Sequence, residues 1–236
     1  MITPAIETAF ENSWPAAEYA QAGPFRIGRG KGGGMRVSSA RPLSAGWSAA
    51  DISEAARIQD AWEQTAAFRV TDGDPLGGVL AAQGWRIHSP TLMMTAPLDV
   101  LTDRAVPPVT AFSLWPPLAI QRELWTASGI SPARQAVMTR VALPRRAILG
   151  RCDDRAGGVA FVAAAGETAV LHALEVVPAL RRRGLAGWMM REAAIWAQRQ
   201  GCHEMLLAVT AANAPAVALY RGFGFTGIGR YSYFLR

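Results

Sequence analysis

The sequence predicts an α/β fold with a mixed, partly parallel central sheet, preceded by a smaller α/β half. Two patterns carry this expectation. Apolar strand-like runs alternate with segments of helical period, most plainly between Ala169 and Phe223, where strand and helix follow each other twice. The composition also breaks at Thr102–Pro117, where Pro107, Pro108, Pro116 and Pro117 interrupt regular structure. A boundary near Ala105 therefore separates residues 1–104 from 105–236.

In the first half, Gly28-Arg29-Gly30-Lys31-Gly32-Gly33-Gly34 could offer backbone amides to a phosphate. No Ser or Thr follows its Gly-Lys pair and no helix start follows, so the Walker pattern is missing. The favoured expectation is a flexible hairpin joining Phe25–Gly28 to Met35–Ala40. A helix over Ala49–Gln64 follows, with Asp51 as its start residue. Then come a short strand at Ala67–Thr71, a helix at Pro75–Gln83 and a strand or hairpin at Trp85–Met94.

The second half opens with helical patterns at Leu118–Ser128 and Pro132–Val141. A hairpin is expected from Ala147–Arg151, through a turn over Asp153–Gly158, to Val159–Ala164. Ala169–Val177 reads as a buried strand and Leu185–Gln200 as a helix whose apolar face includes Leu185, Trp188, Met189, Ala193 and Trp196. Gly201 supplies its stop. Met205–Thr210 is a second buried strand, Ala214–Phe223 a helix, and Phe225–Leu235 a closing strand or hairpin.

Composition narrows the function classes. With 236 residues and 50% hydrophobic content the chain has material for one large core or two small ones. No apolar run reaches the roughly 18 residues of a membrane-crossing helix. Met1–Ala20 carries Glu7, Glu11 and Glu18 with no basic start, so a secretion signal is not expected and a cytoplasmic location is. Two separated cysteines, Cys152 and Cys202, suggest neither a disulfide framework nor a metal site. The net charge of +6 is almost all arginine, Lys31 being the single lysine. No long basic block appears, so neither nucleic acid nor a membrane is expected as partner, and a polyanionic small ligand suits the charge equally well. Homodimerisation is compatible with all of this.

The strongest local signal is Val176-Val177-Pro178-Ala179-Leu180-Arg181-Arg182-Arg183-Gly184-Leu185-Ala186. A strand runs out through proline, passes three arginines and enters a helix across a glycine. The first helical amides and the helix dipole favour an anion there, and Gly184 lets a ligand approach the backbone. A pyrophosphate fits such a turn, although solvated arginines at an ordinary strand-to-helix turn would read the same way.

Arg181-x-x-Gly184-x-Ala186 resembles the (Q/R)xxGx(G/A) motif of the GNAT superfamily of N-acetyltransferases. Asn213-Ala214-Pro215-Ala216-Val217-Ala218-Leu219-Tyr220-Arg221-Gly222-Phe223-Gly224-Phe225 is similar to that family's NxxAxxLYxxxGF signature. The resemblance covers Ala105–Arg236, and it implies the GNAT fold with acetyl-CoA as cosubstrate and no metal. It also implies that the backbone of Leu174, Glu175 and Val176 receives the pantetheine arm as an added strand would. The turn of Arg181, Arg182, Arg183, Gly184, Leu185, Ala186 and Gly187 would hold the pyrophosphate, and Asn213 would sit near the pantetheine. Tyr220 would protonate the departing thiolate; as a plain structural residue it would instead anchor its helix.

For the base that deprotonates the amine there are two candidates. Leu171-His172-Ala173-Leu174-Glu175-Val176 resembles the LHALAV strand of arylalkylamine N-acetyltransferases, in which the histidine is implicated in proton removal. An ordinary imidazole pKa of about 6.5 suits that task. Strand alternation places His172, Leu174 and Val176 on one face and Glu175, the second candidate, on the other unless a bulge intervenes, and this family places one here.

Val79-Leu80-Ala81-Ala82-Gln83-Gly84-Trp85 is similar to Leu219–Phe225 with leucine where Tyr220 stands, and no glycine-turn motif precedes it. Residues 1–104 are therefore expected to be a degenerate GNAT-like repeat, or an accessory α/β module, walling off the acceptor site. The expected activity is acetyl transfer to the primary amine of a small molecule, in a ternary complex. Two alternatives stand beside it. Gly229–Tyr233 resembles the tyrosine-bearing hairpin of ribosomal-protein N-acetyltransferases, which act on protein N-termini. A module that binds acyl-CoA without turnover would need neither Tyr220 nor His172.

Overall fold

The computed structural model describes residues 1–236. Helix α1 is Pro4–Asn12, begun by Thr3, whose hydroxyl accepts from the Ile6 amide at 3.3 Å, with proline in the first turn. Strands β1 (Glu18–Ala22) and β2 (Phe25–Arg29) form a hairpin. Then come α2 (Met35–Ser38), β3 (Ala40–Pro42), α3 (Ala49–Ala61), β4 (Ala67–Thr71), α4 (Leu76–Ala82), β5 (Arg86–Pro97) and α5 (Leu98–Leu101). The second half contains β6 (Ala111–Leu114), α6 (Ala119–Ala127), α7 (Pro132–Arg140), β7 (Arg145–Cys152), β8 (Arg155–Ala165) and β9 (Thr168–Val176). It ends with α8 (Leu185–Arg199), β10 (Glu204–Thr210), α9 (Ala214–Gly222) and β11 (Thr226–Leu235). No helix is long and apolar enough to cross a membrane.

All eleven strands join one mixed sheet in the order β1-β2-β3-β4-β11-β5-β10-β9-β8-β7-β6. The pairs β3–β4 and β9–β10 are parallel and the others antiparallel. The final strands of the two halves are exchanged. Strand β5 pairs with β10 of the second half, β11 pairs with β4 of the first, and β5 and β11 lie side by side. About that central pair the order is symmetric: β4 answers β10, β3 answers β9, and α3 and α4 answer α8 and α9 in chain order.

Alternation along the central strands divides the core between the faces. Met94, Leu171 and Leu207 pack with Met189, Met190 and Ala193 of α8, while Met93, Val170 and Leu206 pack with Ile6, Ala9 and Phe10 of α1. Trp125 of α6 and Val137 and Met138 of α7 cover β7 and β8.

Several expectations need correction. Met35–Ala40 is a helical turn leading into β3, not the second arm of a hairpin. The glycine run before it is packed rather than free, since a Cβ on Gly33 would stand 2.7 Å from Val137 of α7. Side-chain-free backbone is what lets this segment cross α7 closely. The start residue of α3 is Ser48; Asp51 is its capping-box partner, donating its amide to Ser48 Oγ at 3.2 Å and accepting from the Ser48 amide at 2.8 Å. Within Asp153–Gly158 only Asp153 and Asp154 form the turn, and Gly157 and Gly158 already belong to β8. The proline-rich break contains β6, paired with β7, and Phe225–Leu235 resolves as a single strand.

Candidate active site

Strands β9 and β10 pair only from Thr168 and Glu204 to Leu171 and Leu207. Beyond that point each continues alone. The separation begins at a bulge on β9, where Val159 and Phe161 of β8 face Glu175 and His172, so one extra residue stands on β9. Ala173 takes a φ of +51°, and its carbonyl accepts from the indole Nε1 of fully buried Trp125 at 2.9 Å. The bulge changes the phase of the strand. Leu174 and Val176 join Leu171 in the core beneath α8, whereas His172 packs against Trp14 and Phe161 on the other face. The simple alternation that grouped His172 with Leu174 and Val176 therefore does not hold.

The splayed strands open a cleft of about 880 Å³. Its floor is Leu174, Glu175 and Val176 of β9 and Ala208, Val209 and Thr210 of β10. At one end lies Gly184, the N-cap of α8, in the left-handed conformation at φ +80°. A Cβ there would meet nothing closer than Trp188 Nε1 at 3.9 Å, so conformation rather than crowding calls for glycine. Arg182 also has positive φ (+64°), and Arg181 folds back so that its Nε donates to the Val176 carbonyl at 3.0 Å. Arg181, Arg182, Leu185, Ala186 and Gly187 line the cleft. Arg183 does not, because its guanidinium pairs with Asp153 outside it. Asn213 lines the cleft while capping α9, its Oδ1 accepting from the Ala216 amide at 3.3 Å. Open strand edges leading to a helix N-terminus flanked by arginines suit a ligand with an amide-bearing arm and a pyrophosphate.

Tyr220 of α9 lines the same cleft and is 9% exposed. Its ring packs against Phe225, with centroids 5.7 Å apart. Burial, reinforced by the charge of Glu175, pushes its pKa up to about 12, so it is a protonated donor throughout the neutral range. The Glu175 carboxyl is raised by burial against the opposing pull of Arg181 and Arg134.

A second cavity of about 320 Å³ shares Ala173, Leu174, Ala208, Arg134 and Tyr220 with the cleft. It reaches the first half of the chain at Trp14, Gly33 and Arg36, and is walled by His172, Tyr231 and Tyr233. The two tyrosines are buried in the central strand β11 rather than carried on a hairpin.

His172 differs from its expected state. Arg36 Nη1 donates to its Nδ1 at 3.2 Å; a guanidinium only donates, so the remaining ring proton sits on Nε2 and is given to Ser13 Oγ at 2.9 Å. Ser13 Oγ in turn donates to the Phe10 carbonyl at 3.1 Å. Burial, with Arg36 and Arg134 nearby, holds the imidazole pKa well below the ordinary value. It is thus a neutral ring without a free lone pair, not one poised to titrate near pH 6.5. Trp125 and Arg36 escaped sequence reasoning, since nothing in a lone indole or arginine announces a partner 48 or 136 residues away.

Fold and cleft together define an α/β protein with an open cleft between two diverging parallel strands. Residues 121–225 match the sequence model of the Acetyltransferase (GNAT) family, and the chain carries a GNAT acetyltransferase domain. A streptothricin acetyltransferase from Streptomyces lavendulae is 35% identical over 82 residues, which make up 34% of this chain and 43% of that protein. The match thus spans less than half of that relative's length. Among solved structures, a GCN5-related N-acetyltransferase from Kribbella flavida aligns with a TM-score of 0.68 at 18% identity, over 98% of this chain and 93% of the other. A tandem GNAT protein from the clavulanic acid biosynthesis pathway aligns with a TM-score of 0.60 at 16% identity, over 90% and 77%. At such identities these two likenesses concern the fold alone.

Proposed function

We propose that the protein is a cytoplasmic acetyl-CoA-dependent N-acetyltransferase acting on a primary amine of a small molecule. In this reading residues 105–236 are the catalytic half, and residues 1–104 a degenerate GNAT-like half that closes the acceptor cavity. The observation that carries it is the cleft between β9 and β10, which is lined by the glycine turn at Gly184 and by Tyr220. The symmetric strand order supports a repeat whose first copy lacks both the glycine turn and the tyrosine.

Backbone groups of Leu174–Val176 hold the pantetheine arm, and the amides from Arg182 to Gly187 hold the pyrophosphate, with Asn213 beside the arm. Glu175, directly or through water, removes a proton from the amine, whose lone pair attacks the thioester carbonyl carbon. A C–N bond forms, the C–S bond breaks, and Tyr220 gives its proton to the departing sulfur. Free CoA thiol and an N-acetylated amine leave, and the proton taken by Glu175 returns to Tyr220 through solvent. His172 would serve as the base only after Arg36 moved off its Nδ1.

The cavity walled by Trp14, Arg36 and the β11 tyrosines favours a small acceptor over a protein N-terminus, which needs an open groove. Titration calorimetry with acetyl-CoA is expected to find one site per chain, and a panel of amines to include some that release CoA thiol. Two equivalent sites would refute the silent first half. Binding with no thiol release from amines or peptides would leave a binding module.

A further inference from the structure

We propose that the acceptor of this site carries a carboxylate as well as its amine, and that Arg36 with Arg134 binds that carboxylate. The inference rests on the acetyltransferase reading for the meaning of "acceptor", and on the second cavity for everything else. An ordinary polyamine or aminoglycoside site would present carboxylates to ammonium groups. This cavity has two arginines in its wall and neither Asp nor Glu.

The charge is not neutralised from behind. Glu7 lies near Arg36 but is engaged by Arg69 at 2.8 Å, and Glu11 by Arg26 and Arg41. Neither Arg36 nor Arg134 takes part in an ion pair. The Arg36 guanidinium lies over the Phe10 ring at 3.3 Å, and it spends two donors on the Phe10 carbonyl and His172 Nδ1. These neutral acceptors orient the fork without supplying a counter-charge, and a guanidinium keeps further donors for a carboxylate. Burial lowers the Arg36 pKa to about 10, the mark of a cation short of anionic company. Nearby Tyr231 and Tyr233 add hydroxyls to the same wall.

Arg36 lines this cavity alone, whereas Arg134 and Tyr220 stand where it joins the cleft, whose one wall carboxylate is Glu175. An amino acid or similar aminocarboxylate thus finds guanidinium groups and a proton-accepting carboxylate along one connected space. The volume of about 320 Å³ lies at the small end of the roughly 300–1,000 Å³ of ligand pockets, as such an acceptor requires. An 82-residue match to the streptothricin enzyme cannot contain both Arg36 and Tyr231, so that relative's acceptor carries no weight here.

The test is equilibrium binding, in the presence of CoA, of matched pairs that differ only by a carboxylate: tyrosine and tyramine, phenylalanine and phenethylamine, lysine and cadaverine, histidine and histamine. In at least one pair the carboxylate member is expected to bind about 10- to 100-fold more tightly, the range of a charged hydrogen-bonded contact. Arg36→Met should erase that preference and Arg36→Lys should keep part of it. Arg134→Gln, at an exposed position that the fold does not depend on, should reduce it even if Arg36→Met fails to fold. Equal or tighter binding of the decarboxylated members, no binding by any carboxylate member, or a preference that survives both arginine substitutions would overturn the proposal. Acetyl-CoA titration reports separately on the transferase reading. A protein that selects carboxylates but does not bind acetyl-CoA would lose that reading and keep the cavity assignment.

Discussion

Replacing Tyr220 by Phe removes one hydroxyl from the cleft and keeps the ring against Phe225. The hydroxyl makes no hydrogen bond within the protein and is largely buried, so its loss leaves no orphaned partner. Stability should change by less than about 1 kcal/mol, within about 2–4 °C of melting temperature for a chain of this size. If the hydroxyl protonates the departing thiolate, kcat should fall by a factor of roughly 10² or more, which is about 2.7 kcal/mol of barrier. Affinity for acetyl-CoA, set by the strand edges and the glycine turn, should barely move. With its pKa pushed up to about 12, Tyr220 stays protonated from acid to mildly alkaline pH, so the wild type should show no loss of kcat on the basic side that belongs to this group. The acidic limb of kcat/KM should instead report Glu175, above the ordinary carboxylate range because burial raises it. The assay follows CoA thiol against pH for both proteins. A variant that retains kcat within about threefold, or that melts far below the wild type, would refute this account of Tyr220.

Two further outcomes follow from single residues. Gly184→Val places a β-branched side chain at φ +80° with open space around it, so the fold should survive a local strain of about 1–2 kcal/mol while acetyl-CoA affinity drops at least tenfold; calorimetry showing unchanged affinity in a folded variant would remove the turn from the mechanism. His172 has its pKa depressed in the folded state, so the unfolded chain binds the proton first, and the stability this group contributes is present above about pH 6.5 and lost as pH falls below it. Denaturant unfolding should lose up to about 1.4 kcal/mol per pH unit from this source, and an equal loss in His172→Gln would show that the histidine is not its origin.

The glycine turn, the helix beginning at Leu185 and the Asn213–Phe225 signature were legible in the sequence because their meaning is local. Helical period, caps and a left-handed glycine are properties of neighbouring residues, and the strand at Ala67–Thr71 and the helices from Leu118 to Val141 followed from the same rules. The helix and glycine of Val79–Trp85, which resemble Leu219–Phe225, were legible by the same local rules.

Contacts between distant parts of the chain decided the rest. The exchange of β5 and β11 depends on strand edges that can pair in either half, and periodicity does not choose between them. The bulge at Ala173 depends on an indole 48 residues away, and it moves His172 off the face shared by Leu174 and Val176. His172 has the composition of a base, yet an arginine 136 residues earlier occupies its lone pair. The sequence alone determined the glycine turn and helix start at one end of the cleft, because a left-handed glycine and a helix start are local properties. The second cavity was left to tertiary structure, since its walls come from Trp14, the glycine run, α2, β5, α7, β9, β10, α9 and β11, and no local pattern holds them together.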